Sequence, residues 1–109
     1  MTEAEYEAVA VPELKALVRS LDELELAGFE AELASDILTL EFTDGARFVV
    51  NSHRAARQIW MAAELKAWHF DWLAEKQAWI AAKSGEELWA TLESVLARKL
   101  RVPVTLARR

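Results

Sequence analysis

Four carboxylates, Asp22, Glu23, Glu25 and Glu30, crowd into one short stretch of a chain that has no cysteine and only two histidines, His53 and His69. With sulfur absent and imidazole scarce, the metal chemistry open to these residues is that of oxygen donors. Exposed carboxylates make a surface for hard cations (Fe²⁺, Fe³⁺, Mn²⁺, Mg²⁺ or Ca²⁺) with weak selectivity among them. The spacing is not that of an EF-hand loop. The bland reading, a solvated acidic face without a ligand, stands beside this one.

Catalytic readings find little support, and no catalytic residue is assigned. No G-x-S-x-G, phosphate-binding glycine loop or G-x-G-x-x-G occurs, and nothing suggests the desolvation that raises a carboxyl for acid–base work. His69, between Trp68 and Phe70, reads as a structural histidine, and His53, after Asn51-Ser52, as a solvated turn residue. Five tryptophans in 109 residues are a second anomaly. Trp89 reads as core, and Trp68, Phe70 and Trp72 as one packed strand face. If Ile59 and Met61 point inward, alternation turns Gln58 and Trp60 outward. An outward tryptophan is an anchor for a protein partner unless its neighbours cover it.

The elements that must position these groups follow from periodicity. Leu14, Leu17, Val18, Leu21 and Leu24 recur at helical steps after Pro12, which suits a first helical turn. Residues 3–10 are also helix-compatible, making Pro12 a kink instead, and Gly28 ends the pattern. Phe29, Ala31 and Leu33 alternate with Glu30 and Glu32, and Leu38, Leu40 and Phe42 with Thr39, Glu41 and Thr43, as half-buried strands. Asp44-Gly45 signals a two-residue hairpin turn returning through residues 47–51. Residues 58–62, 68–72 and 77–81 read as further strands around a turn at 53–57. Ser84-Gly85-Glu86-Glu87 reads as a capping box opening a helix with Leu88, Leu92, Val95, Leu96 and Leu100 on one stripe. Helix, about six short strands, helix predicts one α+β domain over residues 1–109. In it, two terminal helices pack on one face of a mostly antiparallel sheet as a two-layer α–β sandwich.

Charge is unevenly spread. Twelve of the eighteen acids lie in residues 1–44, against Lys15 and Arg19 alone, whereas the last twelve residues carry Arg98, Lys99, Arg101, Arg108 and Arg109 and no acid. The acidic third repels nucleic acid and anionic lipid and attracts cations or basic protein surfaces. The basic end is a weak nucleic-acid signal that also suits a helix C-terminus. No apolar run reaches the roughly 20 residues of a membrane-spanning helix. The acidic start has neither a signal-peptide nor a transit-peptide character, which predicts a cytoplasmic protein.

Taken in order, Leu38-Thr39-Leu40-Glu41-Phe42-Thr43-Asp44-Gly45, Val49-Val50-Asn51, Gln58-Ile59-Trp60-Met61-Ala62, Trp68-His69-Phe70-Asp71, Trp79-Ile80 and Ser84-Gly85-Glu86-Glu87-Leu88-Trp89 resemble the frataxin family along nearly the whole chain. The N-x6-Q-x-W spacing followed by an aromatic-His-Phe-Asp strand is the specific part. The resemblance implies a monomeric α–β sandwich that binds iron weakly on an acidic ridge, sometimes with metal-induced oligomers. It also implies docking on the cysteine desulfurase and scaffold complex that builds iron–sulfur clusters. Asp22, Glu23, Glu30 and Glu25 fall on ridge positions, and Asn51, Gln58 and Trp60 on the partner-contact surface of the sheet. The chain departs from the family pattern at Val18 and Arg19, where paired acids are usual, at Ala55-Ala56, which lack a proline, and at Ala67, which replaces a glycine.

A second reading, a small acidic secretion-type chaperone that clasps a partner chain and dimerises, accounts for the acidity and the α+β order. It does not account for the spacing of Asn51, Gln58 and Trp60.

Overall fold

The structure, a computed structural model, describes residues 1–107, so Arg108 and Arg109 of the basic end lie outside the described residues. Helix α1 (Glu3–Asp22) opens with a capping box: Thr2 Oγ1 accepts the Glu5 N–H and the Glu5 carboxylate accepts the Thr2 N–H. The leucine pattern gives no sign of this cap, which starts the helix nine residues before Pro12. Pro12 lies inside α1 on its exposed side. The carbonyl it leaves without a helical donor belongs to exposed Ala8, where water can serve it. Tyr6, Ala10, Leu14, Leu17 and Leu21 form the buried stripe. The helix stops at Asp22, well before Gly28; Gly28, at φ +107°, instead turns the chain into the sheet.

Six strands follow as a meander, β1 (Phe29–Ala34), β2 (Ile37–Phe42), β3 (Arg47–His53), β4 (Gln58–Ala63), β5 (Lys66–Leu73) and β6 (Ala78–Ala81). They lie in sequence order and every neighbouring pair is antiparallel. The β2–β3 connection is a three-residue loop rather than the expected two-residue turn. Phe42 N–H donates to Ala46 O (2.9 Å), and Gly45 sits at φ +89° with Asp44 Oδ1 accepting the Ala46 N–H. The β1–β2 and β4–β5 connections are two-residue turns in which both residues have positive φ: Ser35 and Asp36, and Glu64 and Leu65.

Helix α2 (Leu88–Leu100) begins at Glu87, not at Ser84. The chain stays on the sheet edge through Glu87, because Ala81 N–H bonds Glu86 O and Ile80 bridges Glu87. Glu87 is then itself the cap, its carboxylate accepting the Trp89 and Ala90 N–H groups, while Ser84 Oγ accepts the Glu86 N–H in a local turn. Both helices cover one face of the sheet. Their apolar stripes meet Leu38, Leu40, Val50, Ile59, Met61 and Phe70 in one core, and the Trp89 indole N–H donates to Glu13 across the two helices. The chain after α2 returns into this core through Val104 and Leu106. This is the two-layer sandwich expected from the order of elements.

Candidate functional site

Strand alternation and antiparallel register together fill the uncovered face of the sheet. Ile59, Met61 and Ala63 point to the core, so Gln58, Trp60 and Ala62 point away from it. Register then sets Asn51 and His69 on either side of Trp60, and His53 and Asp71 on either side of Gln58. The half-buried Trp60 indole stands between two imidazoles, 3.7 Å from His53 at 14° and 4.1 Å from His69 at 10° between centroids and ring planes. Trp60 Nε1 donates to Gln58 Oε1 at 2.8 Å, and Gln58 Nε2 donates to Asp71 Oδ1 at 3.0 Å. Asn51 Nδ2 donates to Ser52 O at 3.2 Å.

This arrangement is braced from the helix side. Tyr6, fully buried, donates its hydroxyl proton to Gln58 O at 2.6 Å and also contacts Ser52 Oγ at 2.7 Å. Burial pushes the Tyr6 phenol up, keeping it a neutral donor. Arg54 follows β3 and pairs with Glu7 of α1 and with Asp36 of the β1–β2 turn, tying the first helix and the first hairpin to the His53 end of the sheet. The Trp60 indole is therefore held between the two imidazoles on its faces and by Gln58 at its Nε1 edge.

Trp60 and Gln58 thus lie on the outer face, as alternation predicts. His53 and His69 are the residues that sequence reading misses, because each taken singly looks like a solvated turn residue or a structural strand residue. The findable signal is register: with β3 running through residue 53, both flank the tryptophan. Beside them a cleft of about 430 Å³ is lined by Gln58, Trp68, His69, Asp71, Lys83 and Ser84.

The acids lie at the other end of the sheet. Asp22 ends α1, Glu23 is its C-cap, Glu25 is in the connection, and Glu30 is the second residue of β1; all four are exposed. Asp22 and Glu30 line one shallow cleft of about 310 Å³ with Leu21, Leu24, Leu26 and Phe29, whereas Glu23 and Glu25 do not line it. Glu30 also faces Glu41 directly across β1–β2, and Glu41 pairs with Arg47 at 3.0 Å. Glu41 belongs to this acidic corner as much as the residues singled out in the sequence. Among the described residues no three carboxylates or imidazoles converge closely enough to cage a metal. The donors present suit a hydrated hard cation held loosely by one or two carboxylates.

Among the described residues no helix is long and apolar enough to cross a membrane. Residues 1–102 match the family model described as a frataxin-like domain. The iron-sulfur cluster assembly protein CyaY of Ralstonia nicotianae is 34% identical over 110 residues, covering 97% of this chain and 95% of its own length. The protein of the same name from Thioalkalivibrio sulfidiphilus is 34% identical over 98 residues, 89% of this chain and 92% of its own. Among solved structures, frataxin from Psychromonas ingrahamii superposes with a TM-score of 0.87 at 21% identity, covering 99% of this chain and all of that one. Yeast frataxin superposes with a TM-score of 0.66 at 26% identity over 87% of this chain and 83% of its own. These matches favour the sandwich reading over the chaperone reading.

Proposed function

This chain belongs to the frataxin-like family, and on that premise we propose that it is a non-enzymatic accessory protein of iron–sulfur cluster assembly in the cytoplasm. In this reading it carries Fe²⁺ or Fe³⁺ as weakly held cargo at Asp22, Glu23, Glu25 and Glu30. It docks as a monomer, through Asn51, Gln58 and Trp60, on a complex of cysteine desulfurase and scaffold protein. The observation that carries the docking part is the Trp60 indole fixed between His53 and His69 by its bond to Gln58. A pre-ordered aromatic edge loses little entropy when a partner closes over it, which is what an interface anchor requires. The acidic corner supports the iron part. Its carboxylates are exposed and solvated, so binding is weak, exchangeable and screened by salt over about 10 Å at 0.1 M.

The deciding experiment is calorimetric titration of the chain into a purified cysteine desulfurase–scaffold complex. Trp60→Ala should stay folded and lose about thirtyfold in affinity, the equivalent of a 2 kcal/mol anchor. Equal affinity of the two forms would remove Trp60 from the interface and with it the docking assignment.

A further inference from the structure

The β4–β5 turn places two residues that favour negative φ in the left-handed region, Glu64 at +54° and Leu65 at +63°. Asn-Gly is the pair that takes up such a turn without strain, and a bulky residue at positive φ is an outlier whose strain needs a reason. Packing does not supply that reason, because Leu65 has a relative exposure of 108%. The β1–β2 turn is built differently, with small or polar Ser35 and Asp36 at the same positions and Asp36 paired to Arg54.

Leu65 stands at a cleft of about 500 Å³ between this turn and the C-terminal end of α2, lined by apolar Ala46 and Phe48, by four cations (Arg47, Arg98, Lys99 and Arg101) and by one acid, Glu64. The apolar floor has a basic rim. Arg98 is bonded twice to Glu64 (2.8 and 2.7 Å), Lys99 pairs with Asp44 at 2.5 Å and Arg47 with Glu41 at 3.0 Å. Arg101 has no ion pair among the described residues. The Lys99 and Arg47 pairs each rest on one carboxylate oxygen and exchange more readily for an incoming carboxylate than the two-point Arg98–Glu64 pair does. Arg47, Arg98, Lys99 and Arg101 gather four cations here in a chain whose net charge is −5.

We propose that the β4–β5 turn and the end of α2 form a docking site for an acidic peptide segment of a partner protein. One apolar side chain of that segment packs on Leu65 while its carboxylates pair with Arg98, Lys99 and Arg101. The strain at Leu65 is then the cost of displaying an anchor at the tip of a rigid hairpin. This site lies at the far end of β4 from Gln58 and is separate from the Trp60 surface.

The probe is a short end-blocked peptide of Asp and Glu with one central Leu, titrated into ¹⁵N-labelled full chain and followed by NMR. Amide shifts should move at residues 46–48, 64–65 and 98–101, and affinity should fall with salt. Leu65→Gly removes the anchor and relieves the turn together. Its melting temperature should hold or rise while peptide affinity falls at least about fivefold, as for a modest interface anchor. Arg101→Gln should weaken binding and reduce its salt dependence. The proposal is overturned if the shifts fall elsewhere or do not appear, or if a control peptide with Ser for Leu binds equally well. It is also overturned if Leu65→Gly keeps full affinity, or if a single-stranded DNA oligonucleotide moves these amides and the peptide does not.

Discussion

His53, the last residue of β3, lies face to face with Trp60 of β4, ring centroids 3.7 Å apart and planes within 14° of parallel. With His69 on the opposite face, the indole cannot tilt without unstacking an imidazole. Aromatic pairs of this kind contribute about 0.5–1.5 kcal/mol. His53→Ala should therefore cost no more than that in urea unfolding, yet weaken binding to a desulfurase–scaffold complex because the freed indole must be ordered again on docking. An unchanged affinity would mean that the stack does not pre-order the anchor.

Trp89 provides the contrast. It is 4% exposed and ties α2 to Glu13 of α1. Trp89→Ala should cost about 3–5 kcal/mol, a large share of the roughly 5–15 kcal/mol that holds a typical domain together. Denaturation midpoints of Trp89→Ala and Trp60→Ala compared side by side test this, and a Trp60→Ala as unstable as Trp89→Ala would put Trp60 in the core.

Glu30 opposes Glu41 directly across β1–β2, and like charges in that position destabilise a sheet. Glu30→Gln should therefore raise stability by about 0.2–1 kcal/mol. If Glu30 holds iron, the same change should lower Fe²⁺ affinity under anaerobic titration, and adding Asp22→Asn should lower it further. A gain in stability with undiminished iron binding would place the metal elsewhere.

Glu86 links stability to pH. Its carboxyl accepts the Trp68 indole N–H at 3.0 Å, and this bond, aided by Ser84, holds it below the usual carboxylate range. Asp44 beside Lys99 and Glu64 beside Arg98 are lowered as well, chiefly by those hydrogen bonds. A carboxyl more acidic in the folded than in the unfolded chain contributes stability above its unfolded value, about 4.3 for Glu. That contribution disappears as pH falls through the lower folded value. The melting temperature should thus drop below about pH 4.5, and less steeply in Glu86→Gln, which keeps an oxygen for the indole but cannot titrate. Identical pH profiles by circular dichroism would exclude Glu86 as a contributor.

The segment after α2 acts as a strap across the helices. Leu106 is 6% exposed, its N–H donates to Glu93 Oε2 at 2.7 Å, and Ser20 Oγ donates to Ala107 O. Leu106→Ala should cost about 2–5 kcal/mol, as for other buried leucines. A loss below about 0.5 kcal/mol, ordinary for a surface change, would show that the strap is not part of the cooperative unit.

Strand alternation is legible in the residues alone. Ile59 and Met61 can face the core in only one way, which puts Gln58 and Trp60 outside, and the leucine stripes of both helices require one shared covered face. The weight of acid in the first 44 residues is equally plain, as is the turn at Asp44-Gly45. What alternation does not contain is which residues on different strands become neighbours. That depends on register, and register here runs through three connections, the turns Ser35-Asp36 and Glu64-Leu65 and the β3–β4 turn ending at Arg57, whose positive-φ residues are not the usual glycine or asparagine. His53 and His69 therefore carry no mark of their place beside Trp60, and Glu41 none of its place opposite Glu30. Helix starts divide in the same way. Thr2 and Glu5 cap α1 through a local T-x-x-E motif that the leucine pattern passes over, while the Ile80–Glu87 bridge, a contact across the sheet edge, keeps residues 84–87 on the sheet and delays α2. Local sequence sets which face a side chain takes, because that is a property of one strand or helix; the pairing of faces across the fold is settled by the closing of turns and the packing of the core, which no single segment encodes.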